Sequence, residues 1–405
     1  MNKQNWIPTK VKDVAKIVSG ATPKTGIEEN WGGDIPWLTP KDLSDNPAPY
    51  TSHGSRFLTE QGFNSCSTHM LPKGTVLLTS RAPVGYVSVA ANDICTNQGF
   101  KSLVLEDGQI SEFWYYLLSA NTETLLNYSG GSTFKELSKR SLEQIEFLIP
   151  PIEEQREIVS FMQALDLMIQ AGDREIASAE QMRIDVRQIL LRETEEQWGV
   201  TSIAEFTTFA SGGAFPRKFQ GKDSGEYPFF KVSDMNDPAN YPSMGVSANW
   251  IDEDVRSELK AKIHPEGTVI FPKVGAALKT EKRRILERPS AFDNNIMGLI
   301  PTEDADSFYI FMAMENVELG PMSNPGPVPS VNQNTIRRVE IPAAPLEEQK
   351  KIVKKMQTLD TYIDSAKRSQ EALKQVRQDA LHALLSGDKD VRDLAEMFAT
   401  NEDVA

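Results

Sequence analysis

The chain of 405 residues repeats itself at about half its length. The segment Pro151-Ile152-Glu153-Glu154-Gln155 returns 194 positions later as Pro345-Leu346-Glu347-Glu348-Gln349. Two more blocks recur at nearly the same offset, Gly74-Thr75-Val76 at Gly267-Thr268-Val269 and Ser111-Glu112-Phe113 at Asp306-Ser307-Phe308. So long a period excludes a solenoid, and it makes the chain a tandem duplication of one unit.

Each copy divides into two parts of different composition. Residues 1–150 and 195–343 are rich in Gly, Pro, Asn and aromatic residues, with short β-type runs such as Thr75-Val76-Leu77-Leu78. Residues 152–191 and 346–385 contain no proline and are dense in Glu, Gln, Lys, Arg, Ala and Leu. We therefore expect an α+β chain in which domains 1–150 and 195–343 are each followed by one long helix, 151–194 and 344–387, before an acidic tail at 388–405.

Both helical segments carry apolar residues at heptad spacing. In the first helix, the a and d positions include Ile158, Leu165, Gly172, Ala179 and Val186, and Phe161, Met168, Met182 and Ile189. In the second they include Ile352, Leu359, Ala366, Leu373 and Ala380, and Tyr362, Val376 and Ala383. About five heptads are enough for a coiled-coil seam, and an antiparallel pairing would place Leu165 opposite Leu373 and Gly172 opposite Ala366. Alternatively, Gly172 marks a kink.

Composition narrows the class of protein further. Hydrophobic residues make up 40% of the chain and charged residues 25%, as in a globular protein. We expect a cytoplasmic protein without a membrane span, since neither a signal peptide nor an apolar stretch of about 18 residues is found. The two cysteines and four histidines lack metal-ligand spacing. The net charge of −14 argues against nonspecific coating of nucleic acid, but it leaves room for a local basic face.

Motifs of catalysis are missing. No Gly-x-x-x-x-Gly-Lys-Ser/Thr segment occurs, so the chain is not itself an ATP-driven motor. Asn324-Pro325-Gly326-Pro327 lacks the aromatic residue of an amino-methyltransferase motif and is interpreted as a turn. Asp254, Glu258 and Lys260 form a loose nuclease-like pattern that we attribute to chance. The chain is therefore expected to bind no cofactor.

Two β-rich globules, each followed by Pro-x-Glu-Glu-Gln and a long helix, resemble the specificity subunit of type I restriction-modification enzymes. The resemblance covers nearly the whole chain and is carried by residues 149–158 (IPPIEEQREI) and 341–352 (IPAAPLEEQKKI). Gly131-Ser132-Thr133-Phe134 is similar to the family's usual lead into the helix. The second copy departs from that pattern at residues 327–333 (PVPSVNQ).

The resemblance implies a pseudo-two-fold protein in which two target recognition domains each read one half of a split double-stranded DNA sequence. Paired antiparallel helices would hold the domains a fixed distance apart. It also implies that two methylation subunits dock on the helices and that a restriction (motor) subunit joins them. S-adenosylmethionine, ATP and Mg would then belong to those partners. A helix of about 40 residues is about 60 Å long, comparable to one or two turns of duplex.

Base edges are read by Arg or Lys at guanine and by Asn or Gln at adenine, among cations that neutralise phosphates. Candidates in the first domain are Lys41, Arg56, Arg81, Asn97, Gln98, Lys101, Ser132, Thr133 and Lys135. Candidates in the second are Arg217, Lys218, Lys273, Lys279, Lys282, Arg283, Arg284, Arg288, Asn294, Asn295, Asn332 and Gln333. Each is alternatively a solvated charge or a loop-capping amide.

On the helices, one set of residues is a candidate for coiled-coil pairing and partner docking. It consists of Glu153, Glu154, Gln155, Ile158, Leu165 and Gly172, with Glu347, Glu348, Gln349, Ile352, Leu359 and Ala366. The glutamates are also favourable at a helix start, where the helix dipole is positive.

We therefore expect a non-catalytic subunit that supplies DNA sequence specificity to a methyltransferase and endonuclease complex. Two other functions stay open from the residues alone. One is a single-chain DNA methyltransferase or nuclease, and the other is a coiled-coil scaffold that bridges proteins rather than DNA.

Overall fold

A computed structural model describes residues 5–131, 135–324 and 326–401. The chain divides into two compact units, Met1–Asp173 with Ser369–Ala405, and Arg174–Arg368. The two long helices contribute one segment each to both units. Each unit therefore combines one globule with helical segments from two distant parts of the chain.

The first unit is built from ten strands and five short helices that precede the first long helix within the described residues. The strands are β1 Ile7–Lys10, β2 Ala15–Val18, β3 Trp31–Leu38, β4 Tyr50–Thr51, β5 Arg56–Leu58, β6 Val76–Ser80, β7 Val84–Ala90, β8 Cys95–Thr96, β9 Ser102–Leu105 and β10 Glu146–Ile149. The helices are α1 Pro40–Asp45, α2 Glu60–Asn64, α3 Ser111–Ala120, α4 Thr122–Asn127 and α5 Lys139–Gln144.

These strands form a five-stranded sheet in the order β2-β9-β6-β7-β4, a three-stranded sheet β5-β3-β8 and the pair β1-β10. The central strand β6 is buried along its whole length, as its apolar sequence favours. Helix α3 contributes Phe113, Trp114 and Leu118 to the core beneath this sheet. Strands β4 and β8 pair in parallel with β7 and β3, whereas the other pairs are antiparallel.

The second unit repeats this plan. Its strands are β11 Val200–Ser202, β12 Thr207–Ser211, β13 Tyr227–Phe230, β14 Ser243–Met244, β15 Trp250–Ile251, β16 Val269–Pro272, β17 Arg284–Leu286, β18 Ala291–Phe292, β19 Ile296–Pro301 and β20 Glu340–Pro342. Its short helices are α7 Ile203–Phe206, α8 Glu253–Leu259, α9 Ser307–Glu315, α10 Leu319–Met322 and α11 Gln333–Ile336. The sheet orders are β12-β19-β16-β17-β14, β15-β13-β18 and β11-β20, so the duplication holds strand by strand.

The long helices are α6 Ile152–Trp198 and α12 Leu346–Ser386. Helix α6 thus extends beyond residue 194, which the sequence predicts as the end of the first long helix. A further helix, α13 Val391–Asn401, lies in the segment expected as an acidic tail, and its Leu394 packs in the core of the first unit.

A buried glutamine fastens the start of each long helix. Gln155 Nε2 donates to the carbonyl of Pro150 at 2.9 Å, and Gln349 Nε2 donates to that of Ala344 at 2.9 Å. Gln349 also donates to the carbonyl of Asp304 at 3.2 Å and accepts the amide of Asp306 at 2.8 Å. The repeated glutamine therefore joins the helix to the globule that precedes it.

Within each unit the helical segments run antiparallel. In the first unit Arg377 Nε lies 2.5 Å from Asp166 Oδ1, and in the second Arg183 Nε lies 2.5 Å from Asp360 Oδ1. We call each of these ion pairs a clasp. The two aspartates are 194 positions apart in sequence, and so are the two arginines, so one clasp is the duplicate of the other.

The residue over Gly172 is Gln370 rather than the expected Ala366. Gln370 Nε2 donates to the carbonyl of Ile169 at 2.6 Å and to Asp173 Oδ1 at 2.8 Å. A Cβ at position 172 would overlap the Gln370 amide. Gly172 therefore makes room for a buried polar contact rather than for a second small residue.

The heptad positions do not all face inward. Ile158, Leu165, Ala179, Ile352 and Ala380 are buried as expected for a seam. The d residues Met168, Met182, Ile189, Tyr362 and Val376 are instead exposed. The partner of each helix contacts one side of this pattern and leaves the other in solvent.

We predict that Gln349→Ala lowers the thermal unfolding midpoint more than Gln155→Ala does, because it leaves more buried backbone groups without a partner. Such a group costs about 1–3 kcal/mol. Gln357→Ala, an exposed position on the same helix, is the matched control and should leave the midpoint unchanged. Differential scanning calorimetry measures all three, and equal midpoints for Gln349→Ala and the control would contradict the anchoring role.

Candidate nucleic-acid interface

In the first unit, loops that are distant in sequence meet at one end of the sheet. We call residues 20–22, 80–81, 97–101, 130–131 and 135–136 the first loop cluster. The Ser80 amide donates to the carbonyl of Gly99 at 2.7 Å, and the Leu137 amide donates to that of Ser80 at 2.9 Å. The Gly130 amide donates to the carbonyl of Glu136 at 3.0 Å. Backbone hydrogen bonds therefore fix these loops to one another.

The second unit builds the same scaffold from different residues. The second loop cluster comprises residues 212–214, 273–275, 293–295, 324 and 330–333. Its Lys273 amide donates to the carbonyl of Asn295 at 2.8 Å, the Val331 amide to that of Lys273 at 3.0 Å, and the Asn324 amide to that of Ser330 at 2.9 Å. The geometry is thus kept where the second copy departs from the family's sequence pattern.

A glycine in each cluster allows a close backbone approach. A Cβ at Gly20 would overlap the carbonyl of Thr96, and one at Gly212 would overlap that of Asp293. These two positions accept only glycine without displacement of the neighbouring loop.

Some residues that were predicted to contact DNA in the first cluster make contacts within the loops instead. Lys101 is only 8% exposed, with its Nζ 3.4 Å from Ser80 Oγ and 4.0 Å from Glu136 Oε1. Burial lowers the pKa of Lys101. The structure corrects its assignment as a DNA contact, because the ammonium faces inward.

Other first-cluster candidates reach the surface. Arg81 is half-buried and pairs with Glu136 at 3.4 Å, and Lys135 is exposed. Gln98 is exposed, and its Oε1 accepts the Thr22 hydroxyl at 2.6 Å.

Asn97 has a structural role in the same loop. Its Oδ1 accepts the Gly99 backbone amide at 2.8 Å, so the Asn97 side chain caps the turn. Ser132 and Thr133 lie outside the described residues.

In the second cluster, Asn294 and Asn295 are exposed and Lys273 is half-buried. Gln333 Nε2 donates to Ser211 Oγ at 3.1 Å, and Asn332 Oδ1 accepts the Thr335 amide at the start of α11 at 3.0 Å. The structure therefore brings all five of these predicted residues to one place.

The basic stretch at 279–288 is not one exposed surface, and its two central arginines correct that expectation. Arg283 is 2% exposed and donates to the carbonyls of Met314 and Val317, at 3.1 and 2.5 Å. Arg284 is 7% exposed and donates to the carbonyl of Met235 at 2.7 Å. Both are structural because their guanidinium groups satisfy buried carbonyls.

The other basic residues of this stretch reach the surface. Lys279 and Arg288 are exposed, and Lys282 donates to Asn236 Oδ1.

The remaining candidate cations lie outside the loop clusters. Arg56 packs on Trp31, 3.3 Å from the ring centroid, in the three-stranded sheet. Lys41 pairs with Asp45 at 3.7 Å and Lys218 with Glu258 at 2.7 Å, whereas Arg217 is exposed. Solvent screening makes such exposed pairs weak, so their cations stay available to phosphate.

The helix residues that recur in sequence mostly face inward. Ile158, Leu165, Ile352, Gln155 and Gln349 are buried, so within each unit they belong to the packing between the helices and the globule rather than to an exposed surface. Leu359, Gly172 and Ala366 are half-buried. Glu153 and Glu347 are exposed and pair with residues three positions later, Glu348 pairs with Lys351, and Glu154 accepts the Trp6 indole N–H.

Exposed apolar residues on the helices are the contact candidates that sequence reasoning missed. Leu167 is 62% exposed, Met168 54% and Met182 55%. Heptad counting assigned Met168 and Met182 to the seam and passed over Leu167. The periodicity alone held no signal that these positions face solvent.

Neither a metal cluster nor a membrane span is found within the part of the chain that the structure describes. No three His, Cys, Asp or Glu side chains there are grouped to hold a metal ion. None of the described helices has both the length and the apolar character needed to cross a bilayer.

Family comparison identifies the chain. A model of the type I restriction modification DNA specificity domain matches residues 3–181 and again 195–375. The chain belongs to the type I restriction-modification specificity subunits. The predicted family and the duplicated α+β fold class are confirmed, and the tandem match gives this specificity subunit two target recognition domains.

Relatives agree with this assignment. The MjaIX specificity subunit of Methanocaldococcus jannaschii is 34% identical over 306 residues, which cover 70% of this chain and 69% of the relative. The EcoR124I/EcoR124II specificity subunit of Escherichia coli is 22% identical over 166 residues, covering 38% of this chain and 40% of the relative.

Solved structures share the fold at low sequence identity. A chain from a study of complex assembly and conformational transition of the type I R-M system has a TM-score of 0.65 at 15% identity, covering 95% of this chain and 99% of its own length. The S subunit from M. genitalium has a TM-score of 0.52 at 16% identity, with coverages of 95% and 97%.

Asp293 supplies a test of loop-cluster energetics. Its Oδ1 accepts the Asn295 amide at 2.8 Å, as Asn97 does with Gly99 in the first cluster. Burial raises the pKa of Asp293, against the opposing hydrogen bonds from Asn295 and the weaker attraction of Lys231. A raised pKa means that ionisation destabilises the folded chain, so stability is lost as the pH rises through the folded pKa.

We predict that Asp293→Asn raises the thermal midpoint at pH 7, and that the gain shrinks as the pH falls toward the unfolded carboxyl value of about 4. Asn97→Asp is the matched control and should lower the midpoint at pH 7. Thermal unfolding followed by circular dichroism from about pH 4 to 7 measures both, and a gain independent of pH over this range would contradict the role of ionisation.

Proposed function

We propose that this specificity subunit reads a split double-stranded DNA target, one half with each recognition domain, at 1–150 and 195–343. Without catalysing a reaction itself, it positions methylation and restriction subunits on that DNA. The observation that carries the proposal is that the two loop clusters share one backbone scaffold but present different side chains.

The equivalent positions show how the two readings differ. Gln98 corresponds to Asn294, because each follows the residue that caps its turn, Asn97 or Asp293. Ser80 corresponds to Lys273, since each amide bonds the equivalent loop carbonyl. Amide and ammonium groups are the ones that read adenine and guanine edges. Gln98 and Asn294 carry the same amide group on side chains of different length, whereas the buried Ser80 is replaced by the half-buried Lys273. One scaffold with these different side chains supports recognition of two different half-sites.

Phosphate contacts come from cations that are left free. Within the described ranges, Lys135, Arg217 and Lys279 are exposed and form no ion pair. Such cations hold the duplex in register without reading its sequence. The net charge of −14 opposes DNA binding at long range, so we expect tight binding once the partner subunits have joined.

Partner docking uses the exposed apolar residues of the helices. Met168 and Val376 are exposed in the first unit, and their duplicates Tyr362 and Met182 are exposed in the second. Each unit thus presents one pair of apolar contacts, which supports two methylation subunits per chain. S-adenosylmethionine, ATP and Mg are then used by the methylation and restriction subunits.

We predict that Gln98→Ala and Asn294→Ala each relax specificity at one position of a different half-site. Loss of a paired amide contact costs about 1–3 kcal/mol of discrimination against the wrong base. Competition binding by the assembled complex, with duplexes substituted one base pair at a time, measures the effect.

Lys135→Ala is the control for this experiment. It should weaken binding to all duplexes alike and reduce the salt slope by about one. If Gln98→Ala and Asn294→Ala behave as Lys135→Ala does, the proposed base readers are wrong. A wild-type complex with no salt dependence would contradict DNA recognition altogether.

We further predict that Met168→Glu with Val376→Glu removes one methylation subunit, and that Met182→Glu with Tyr362→Glu removes the other, because charge disfavours an apolar contact. Native mass spectrometry of the co-expressed complex should show two methylation subunits for wild type and one for each double variant. Tyr128→Glu, at another exposed aromatic residue, is the control. A wild-type ratio of one to one would contradict the stoichiometry.

A further inference from the structure

A network of charged and aromatic side chains occupies the groove between the second globule and its helical segments. Glu315, at the end of α9, accepts from Arg183 at 3.1 Å and from Arg187 at 2.6 Å. Tyr241 donates its hydroxyl to the other Glu315 oxygen at 3.0 Å. Arg183 also pairs with Asp360. These side chains therefore occupy the groove, and Tyr241 remains 44% exposed at its mouth.

Tyr241 is the aromatic centre of the network. Its ring lies 6.0 Å from that of Phe311, and the guanidinium carbons of Arg284 and Arg183 lie 5.1 and 5.7 Å from its centroid. Burial and the Glu315 carboxylate raise the pKa of Tyr241, so the phenol stays protonated and donates. The groove of the second unit thus holds the neutral phenol of Tyr241 between two arginines and a carboxylate.

The duplication identifies the same groove in the first unit. The Val89 amide donates to the carbonyl of Pro49 as the Ile285 amide does to that of Pro242, so Ala48 stands where Tyr241 stands. The Arg377–Asp166 clasp is equivalent to Arg183–Asp360.

Most of the other network residues are replaced in the first unit. Position 381, the duplicate of Arg187, is a leucine. Ser111 lies beside Gly74 as Ser307 lies beside Gly267, so the structure matches Ser111 with Ser307 rather than with Asp306, and Ser119 stands at the position of Glu315. The arginine–aspartate clasp is kept, and Tyr116 donates its hydroxyl to Asp166 at 2.7 Å, with the Arg377 guanidinium carbon 5.9 Å from its ring centroid. The side chains equivalent to Tyr241, Arg187 and Glu315 are missing from the first groove.

The first groove accordingly contains space. One cavity of about 350 Å³ is lined by Ala48, Pro49, Tyr116, Gln163 and Leu167, among others. An adjoining one of about 770 Å³ shares Tyr115 and Asp166 with it and is also lined by Ser119, Arg377 and Leu381. These volumes are typical of ligand-binding pockets.

We propose that this cavity receives an aromatic side chain from the methylation subunit, at the place that Tyr241 fills in the second unit. The proposal rests on the proposed function for the identity of the partner. Tyr241 shows which group occupies the equivalent space in the second unit. Tyr50, Tyr115 and Tyr116 line the cavity, so an incoming ring would meet aromatic contacts there. Leu167 lines the cavity and adjoins Met168, so the pocket continues the proposed docking surface.

The two docking surfaces are therefore not equivalent. The first docking surface binds an aromatic residue of the partner in its cavity. A buried aromatic anchor in a pocket is the usual centre of binding energy at an interface. The second groove is occupied by the subunit's own Tyr241. One methylation subunit should accordingly depend on the cavity and the other should not.

The test closes the cavity with the residues of the second unit. In the variant Ala48→Tyr, Ser119→Glu, Leu381→Arg, we expect the affinity for one of the two methylation subunits to fall at least about tenfold, the loss expected for an aromatic anchor. Asp107→Tyr adds a tyrosine at an exposed turn of the same unit and is the matched control. Native mass spectrometry during titration of methylation subunit measures both, and unchanged binding of two subunits by the triple variant overturns the proposal.

A second measurement does not depend on the fold of that variant. Replacing Gln170, which lines both cavities, by photoreactive benzoylphenylalanine should cross-link the assembled complex to a segment of the methylation subunit that contains an aromatic residue. A cross-link only to DNA, only to a second copy of this chain, or to nothing overturns the proposal. A wild-type complex that fails to bind DNA or methylation subunits would instead count against the proposed function.

Discussion

Each unit of this specificity subunit depends on a clasp between two helical segments that are some 200 residues apart in sequence. Arg377 with Asp166, and Arg183 with Asp360, join these segments with little solvent access. Both pairs are partly shielded from water, so removing one partner leaves the other charge without full compensation and destabilises the unit. The first globule therefore has its complete core only when the end of α12 has returned to the start of α6.

The clasp has consequences for the rest of the fold. Ile158, Leu165, Ala380 and Leu384 from the two segments enter the same core as Trp114 of the first globule. The helices are thus parts of each globule's core as well as connections between the recognition domains. One side of each heptad pattern is buried by this packing, and the other side faces solvent.

Duplication lets one physical solution serve two purposes. The backbone bonds of the loop clusters are the same in both units, while exposed side chains such as Gln98 and Asn294 differ. The same divergence appears in the grooves, where Tyr241 has Ala48 as its counterpart. Backbone geometry is kept because the sheet requires it, whereas side chains that face solvent or a partner are free to change.

The sequence by itself determined the duplication, the position of the long helices and the family, because helix signals and a repeated motif are local and need no knowledge of neighbours. It could not show that Arg283, Arg284 and Lys101 face inward, since a charged residue looks the same in sequence whether water or a carbonyl satisfies it. It also misjudged Gly172 and the exposed Met168. Only the tertiary structure decided these, because burial and register depend on which distant segment packs against a residue, and that is a property of the whole unit.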